Sequence, residues 1–167
     1  MGVIRQCLYG LCSAMSVVGA VVPNGAAAAE GEWQALSTRS PILPDAHDPA
    51  IAMTLRGDFV LNTAEPMLTI DVARHPQPQC TADRDGALDV APLGEGLLNG
   101  QSQSFGYRCM GGQMSIVAWP TQQSATYWKT QIVAQQPLSL SIGSISFQSA
   151  NTNGKRAMSA ANRMFME

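Results

Sequence analysis

From residue 51 onward, apolar side chains recur at every second position, the period of a half-buried strand. Ile51, Met53, Leu55, Gly57, Phe59 and Leu61 share one phase, and Ala52, Thr54, Arg56, Asp58, Val60 and Asn62 share the other. Residues 62–66 read as a turn. Leu68, Ile70 and Val72 then alternate with Thr69, Asp71 and Ala73, so the two runs predict a hairpin. Residues 74–86 carry Pro76, Pro78 and the pair Asp85-Gly86, which makes them a loop. A short strand is expected at residues 87–91, with Leu88 and Val90 inward, and a glycine-rich connection at residues 92–101.

Further on, Phe105, Tyr107 and Cys109 line one face of a strand whose other face is Ser104, Gly106 and Arg108. Gly111-Gly112 forms a hairpin turn, because both residues accept positive φ. Met114, Ile116 and Ala118 alternate with Val117 and Trp119 in the return strand. Residues 127–134 read as another strand. Leu138, Leu140 and Ile142 then switch phase to Ile145 and Phe147, which places a bulge or tight turn at Gly143. About seven to eight strands between turn signals, with no helical repeat among them, predict an all-β fold. The expected form is an antiparallel β-sandwich (Ig-like) or a small barrel. The C-terminal tail can form a short helix with Met158, Ala161, Met164 and Phe165 on one side.

The start of the chain follows a different pattern. Arg5 is its only charge before Glu30, and an uncharged, mostly apolar run extends from Cys7 to Val22. Pro23, Asn24 and Gly25 break the run, and Ala26 to Ala29 supply small residues at the −3 and −1 positions of a cleavage site. The run is shorter than the ~20 residues that span a bilayer. Residues 1–29 are therefore expected to be a cleaved signal peptide, leaving no transmembrane segment after processing. Cys12 follows Tyr9, Gly10 and Leu11, which is not the pattern of a lipidated cysteine. Residues 30–49, interrupted by Pro41, Pro44 and Pro49, form an expected extended arm that docks Trp33, Leu36, Ile42 and Leu43. Residues 50–149 form the β-domain and residues 150–167 the tail.

Export changes the meaning of the cysteines. Two of the four leave with the signal, and Cys80 and Cys109 remain as a pair in an oxidising compartment, so they predict one disulfide. Twelve acidic residues face ten basic ones, a formal charge of −2, and the loss of Arg5 makes the processed chain one unit more negative. The basic residues are scattered, so no stripe exists to neutralise a phosphate backbone, and nucleic acid is not an expected partner.

Signals of catalysis are sparse. The chain has two histidines: His47 in Asp-Ala-His-Asp-Pro and His75 before Pro76. Both sit in proline-flanked loops, which make poor supports for a preorganised site. Asp83, Asp85, Gly86 and Asp89 suggest a calcium loop, but Gly94 stands where the twelfth-position acid is required, so the turn reading prevails. Nucleophile-elbow, His-Glu-x-x-His, Cys-x-x-Cys and phosphate-loop patterns are missing from the sequence. No catalytic residue, metal or cofactor is expected.

Trp119, Tyr127 and Trp128 are candidate binding aromatics, since rings at strand ends anchor protein or sugar partners. Residues 107–112 (Tyr-Arg-Cys-Met-Gly-Gly), with the strand that follows, resemble the opening strand and turn of the periplasmic inhibitors of c-type lysozyme. That family's inhibitory Ser-Gly-x-x-Tyr loop has no counterpart in residues 149–156, so the resemblance implies no membership. The expectation is a periplasmic or secreted, non-enzymatic binding protein with an accessory, assembly or inhibitory role. Its expected partner is another envelope or extracellular protein. The alternatives are a structural subunit of a surface appendage and a small secreted hydrolase.

Overall fold

The computed structural model describes residues 31–37, 40–57, 66–73, 77–119 and 121–163. The strands are β1 (Ile42–Pro44), β2 (Ile51–Arg56), β3 (Met67–Val72), β4 (Ala91–Leu98), β5 (Gln101–Met110), β6 (Gln113–Ala118), β7 (Leu138–Ile142) and β8 (Ile145–Ser149). Two helices accompany them, α1 (Gln122–Val133) and α2 (Gly154–Asn162). All eight strands join one antiparallel sheet in the order β1-β2-β3-β6-β5-β4-β7-β8, which curls into a nearly closed barrel.

The alternating pattern becomes a single inner face. Leu43 pairs with Met53, Met53 with Ile70, and Ile70 with Ile116. Tyr107 follows opposite Ile116, and Leu140 stands opposite both Leu98 and Phe147. Leu43, Met53, Leu55, Ile70, Met114, Ile116 and Phe147 are fully buried. The expected phase switch after Ile142 is a tight turn, so both β7 and β8 point their apolar residues inward.

Where the edge strands meet, a side chain replaces a missing strand residue. The Ala46 amide donates to Gln148 O at 2.8 Å. The Gln148 amide donates in turn to Asp45 Oδ2 at 2.5 Å, while Asp45 Oδ1 accepts the amides of His47 and Asp48 at 2.8 and 2.7 Å. One carboxylate thus shapes the turn after β1 and fastens it to β8. Because charged acceptors make the stronger hydrogen bonds but this site is partly wet, Asp45→Ala should cost about 1–2 kcal/mol in urea unfolding. The Gln148 amide should also exchange faster with solvent. A variant of unchanged stability and exchange would show that the carboxylate does not fasten the seam.

Residues 31–49 do more than dock. They contribute β1, and Gly31, Glu32 and Trp33 run beside Thr152, with the Trp33 amide donating to Thr152 O at 3.2 Å. Trp33 and Leu43 are buried, whereas Ile42 is exposed.

Two elements differ from the expected ones. Residues 127–134 belong to helix α1 rather than to a strand. Its first turn is capped by Thr121 Oγ1, which accepts the Ser124 amide at 3.1 Å. Ser124, Trp128 and Ile132 fall at helical spacing on its buried face. The Thr126 and Thr130 hydroxyls donate to the carbonyls four residues back, so their β-branched stems are accommodated in the helix. Second, the expected glycine-rich connection is strand β4, and residues 87–90 are irregular. Gly96 takes an inner position of β4 because Phe105 occupies the space. A Cβ there would come within 3.0 Å of the Phe105 ring and 2.8 Å of Ser141 O. The tail forms the expected short helix, α2, which buries Ala157, Met158, Ala160 and Ala161.

The expected signal peptide (residues 1–29), Phe59, Leu61, His75 and residues 164–167 lie outside the described residues. No helix among the described residues is long and apolar enough to cross a membrane.

Candidate functional site

The three tryptophans part company in the fold: Trp33 and Trp128 are buried, and Trp119 is 36 % exposed. Trp119 follows β6 in the outward phase, and its amide donates to Ser104 O at 2.9 Å, which carries the ladder one residue past the strand. On the neighbouring strand, Glu95 stands opposite Ser104 in register. Glu95, Ser104 and Trp119 therefore occupy one level on the outer face of three adjacent strands. With about 4.8 Å between strands, Glu95 and Trp119 stand roughly 10 Å apart across Ser104.

The ring of Trp119 is seated by a close approach to the backbone. A Cβ on Gly106 would lie 2.9 Å from Trp119 Cζ3 and 2.3 Å from Val90 Cγ1, so only glycine lets both side chains cross β5 there. Across the site, the Glu95 carboxylate accepts hydrogen bonds from Ser104 Oγ and, at 2.9 Å, from Ser102 Oγ. These hydroxyls, Ser104 foremost, hold the carboxyl below the usual glutamate range. Because folding favours the ionised form, the contribution is present above the unfolded-state pKa and is lost as pH falls through the lowered one.

The start of α1 closes the site. Ser124 is 7 % exposed, and its Oγ has no hydrogen-bond partner. A buried hydroxyl left in that state ordinarily costs about 1–3 kcal/mol. It lines a pocket of about 170 Å³ together with Glu95, Ser104, Trp119 and the side chains of Gln101 and Gln123.

The other two aromatics have structural roles. Tyr127 is half-buried, and its hydroxyl donates to Leu98 O at 3.0 Å, tying α1 to the end of β4. Trp128 packs in the core, with the Lys129 ammonium 5.6 Å from its ring centroid. On a strand, adjacent rings would face opposite ways. The helix turns successive residues by only ~100°, so both point toward protein.

Cys80 and Cys109 form the disulfide expected from the sequence. The loop after Cys80 runs back along β5, where the Gly86 amide donates to Cys109 O at 2.9 Å and Asp85 Oδ1 accepts the Gly112 amide at 3.1 Å. Arg84 lies 5.8 Å from the Tyr107 ring centroid and pairs with Asp89 at 3.0 Å. Asp85 and Asp89 are thus engaged with backbone and arginine. Among the described residues no group of three His, Cys, Asp or Glu side chains could hold a metal ion.

His47 is exposed beside a second pocket, of about 300 Å³, that also meets Asp45 and Asp48. Asp45 is committed to three backbone amides. A third pocket, of about 260 Å³, is flanked by Lys155, Arg156 and Arg163 of the α2 region.

The sequence singled out Trp119 but missed Glu95, Ser104 and Ser124. The alternation of Ser102 and Ser104 with Gln103 and Phe105 was visible. Their carboxylate partner was not, because it sits on a strand that reads as a loop. No family model matches the chain, and no curated protein or solved structure matches it either.

Proposed function

We propose that this is an extracytoplasmic protein that works by binding, without turnover, and that the pocket between Trp119 and Glu95 is where its partner docks. The observation that carries the reading is a pocket of about 170 Å³ whose lining joins the 36 % exposed Trp119 to the Glu95 carboxylate. The site stands on rigid supports, with Trp119 held by Gly106 and Ser104 and the carboxylate by two serine hydroxyls. Preorganisation of that kind lowers the ordering cost of binding. The disulfide suits a periplasmic or secreted location, and the partner in that setting is a protein or other component of the envelope or medium.

The near-closure of the sheet favours a self-contained binder over an appendage subunit completed by a neighbour's strand. Against a hydrolase stands the commitment of the Asp45 carboxylate beside His47 to backbone amides.

Immobilised protein should retain a component of the envelope or medium of its source, and Trp119→Ala should reduce that recovery about tenfold or more. Equal recovery by the folded variant would sink the assignment of the pocket.

A further inference from the structure

We infer that the pocket between Trp119 and Glu95 takes a neutral sugar residue. The inference rests on the binding reading above and names the chemistry of what enters the site.

Four observations point the same way. The first is the mixture of donors and acceptors. Gln101 and Gln123 bring amides that donate and accept, and the Glu95 carboxylate accepts. A sugar hydroxyl also donates and accepts, so a ring carrying several of them can satisfy such a lining at many points. The second is the aromatic wall. Trp119 is the one ring lining the pocket, and it offers a flat apolar surface beside a wet rim. The C–H face of a pyranose has that complementary character.

Charge is the third. Among the described residues neither lysine nor arginine lines this pocket, so an anionic ligand would find no counter-charge there, whereas the α2 pocket has three cations. A cationic ligand would meet one ring rather than a cage, and a carboxylate that already accepts two serine hydroxyls. The fourth is size. About 170 Å³ lies well below the ~300–1,000 Å³ of sites for drug-sized ligands and suits a single ring.

The sugar could be free, part of a polysaccharide or carried by a glycoprotein, and the three present the same chemistry to the pocket. The test is a titration of the ¹⁵N-labelled protein with glucose, galactose, mannose and N-acetylglucosamine, following the Trp119 indole N–H resonance. Glucosamine and glucuronate serve as charged comparisons. At least one neutral sugar should shift the resonance saturably. Trp119→Ala and Glu95→Gln should each weaken that sugar's binding about tenfold or more, read from amide shifts of the pocket residues. Trp119→Phe should restore part of it. Spectra that keep their dispersion separate loss of binding from loss of fold. A tetrasaccharide and a glycopeptide bearing the same sugar then identify the carrier by the tighter affinity.

Failure of every neutral sugar to shift the resonance, or binding confined to glucosamine or glucuronate, would overturn the inference. If that happens while Trp119→Ala still abolishes recovery of the natural partner, the sugar assignment falls and the binding reading stands. If recovery is also unaffected, both fall.

Discussion

Asn151→Ala should destabilise the fold by about 3–5 kcal/mol, the combined effect of several polar groups left buried without partners. Asn151 is completely buried between three parts of the molecule. Its Nδ2 donates to Gln131 O, Ile132 O and Gln136 O at 3.2, 3.1 and 2.9 Å, at the C-terminal end of α1, where Ile132 O also accepts the Gln135 amide at 3.1 Å. Its Oδ1 accepts the indole N–H of Trp33 at 2.7 Å. One side chain therefore joins the N-terminal segment, the end of α1 and the approach to α2. Alanine would strand the indole N–H of a tryptophan that is 2 % exposed and take the side-chain donor from Gln131 O and Gln136 O. It would also have to hold φ near +58°, a left-handed conformation that asparagine tolerates better.

Asn151→Gly separates the two effects. Glycine accepts the backbone angle but supplies no hydrogen bond, so most of the loss should persist. Urea unfolding of the three proteins, followed by tryptophan fluorescence, measures this directly. Recovery of full stability with glycine would assign the cost to backbone conformation rather than to the network.

Removal of the disulfide is the second large effect. Cys80 and Cys109 are 29 residues apart in sequence, and the chain-entropy model assigns a loop of that length about 3–4 kcal/mol. The double variant Cys80→Ala/Cys109→Ala is preferable to either single one, since a lone thiol invites intermolecular pairing. Its unfolding free energy in urea should fall by that amount, with a lower midpoint, and that of the parent should fall similarly under reductant. The contacts most exposed to the loss are those of Asp85 and Gly86 along β5. The Trp119 pocket is held by ladder contacts and serine hydroxyls instead, so its ligand affinity at low denaturant should survive. An unchanged midpoint would mean that the unfolded chain is already compact enough for the link to restrict it little.

The sequence was legible wherever local pattern and tertiary role agreed. Ile51, Met53 and Leu55 alternate because they line one face of a strand, and Leu68, Ile70 and Val72 oppose them in register. Gly111-Gly112 marked the turn between β5 and β6, and Gly143 the turn between β7 and β8. The cysteine pairing followed from the export reading. Of the site, Trp119 was visible as an aromatic at a strand end, while its setting was not.

Two misreadings account for the rest, and both have physical causes. Residues 126–133 are rich in aromatic and β-branched side chains, whose intrinsic preference is for strands. That preference is worth only tenths of a kcal/mol per residue, less than burying Trp128 and Ile132 on one helix face contributes. β4 carries Pro92, Gly94 and Gly96, which read as a loop. Its inner position at Gly96 is small because Phe105 fills the space from the next strand, a relation between two strands that neither reveals alone.

The sequence by itself determined what depends on near neighbours along the chain: the alternation that makes strands, the glycines that permit turns, the cysteines available to pair. Only the tertiary structure decided what depends on distant residues meeting. It set Glu95 opposite Ser104, brought Trp119 onto Gly106 and placed the start of α1, at Ser124, beside them. Strand register and helix placement fix those meetings, and they are set by the packing of the whole core rather than by any one segment.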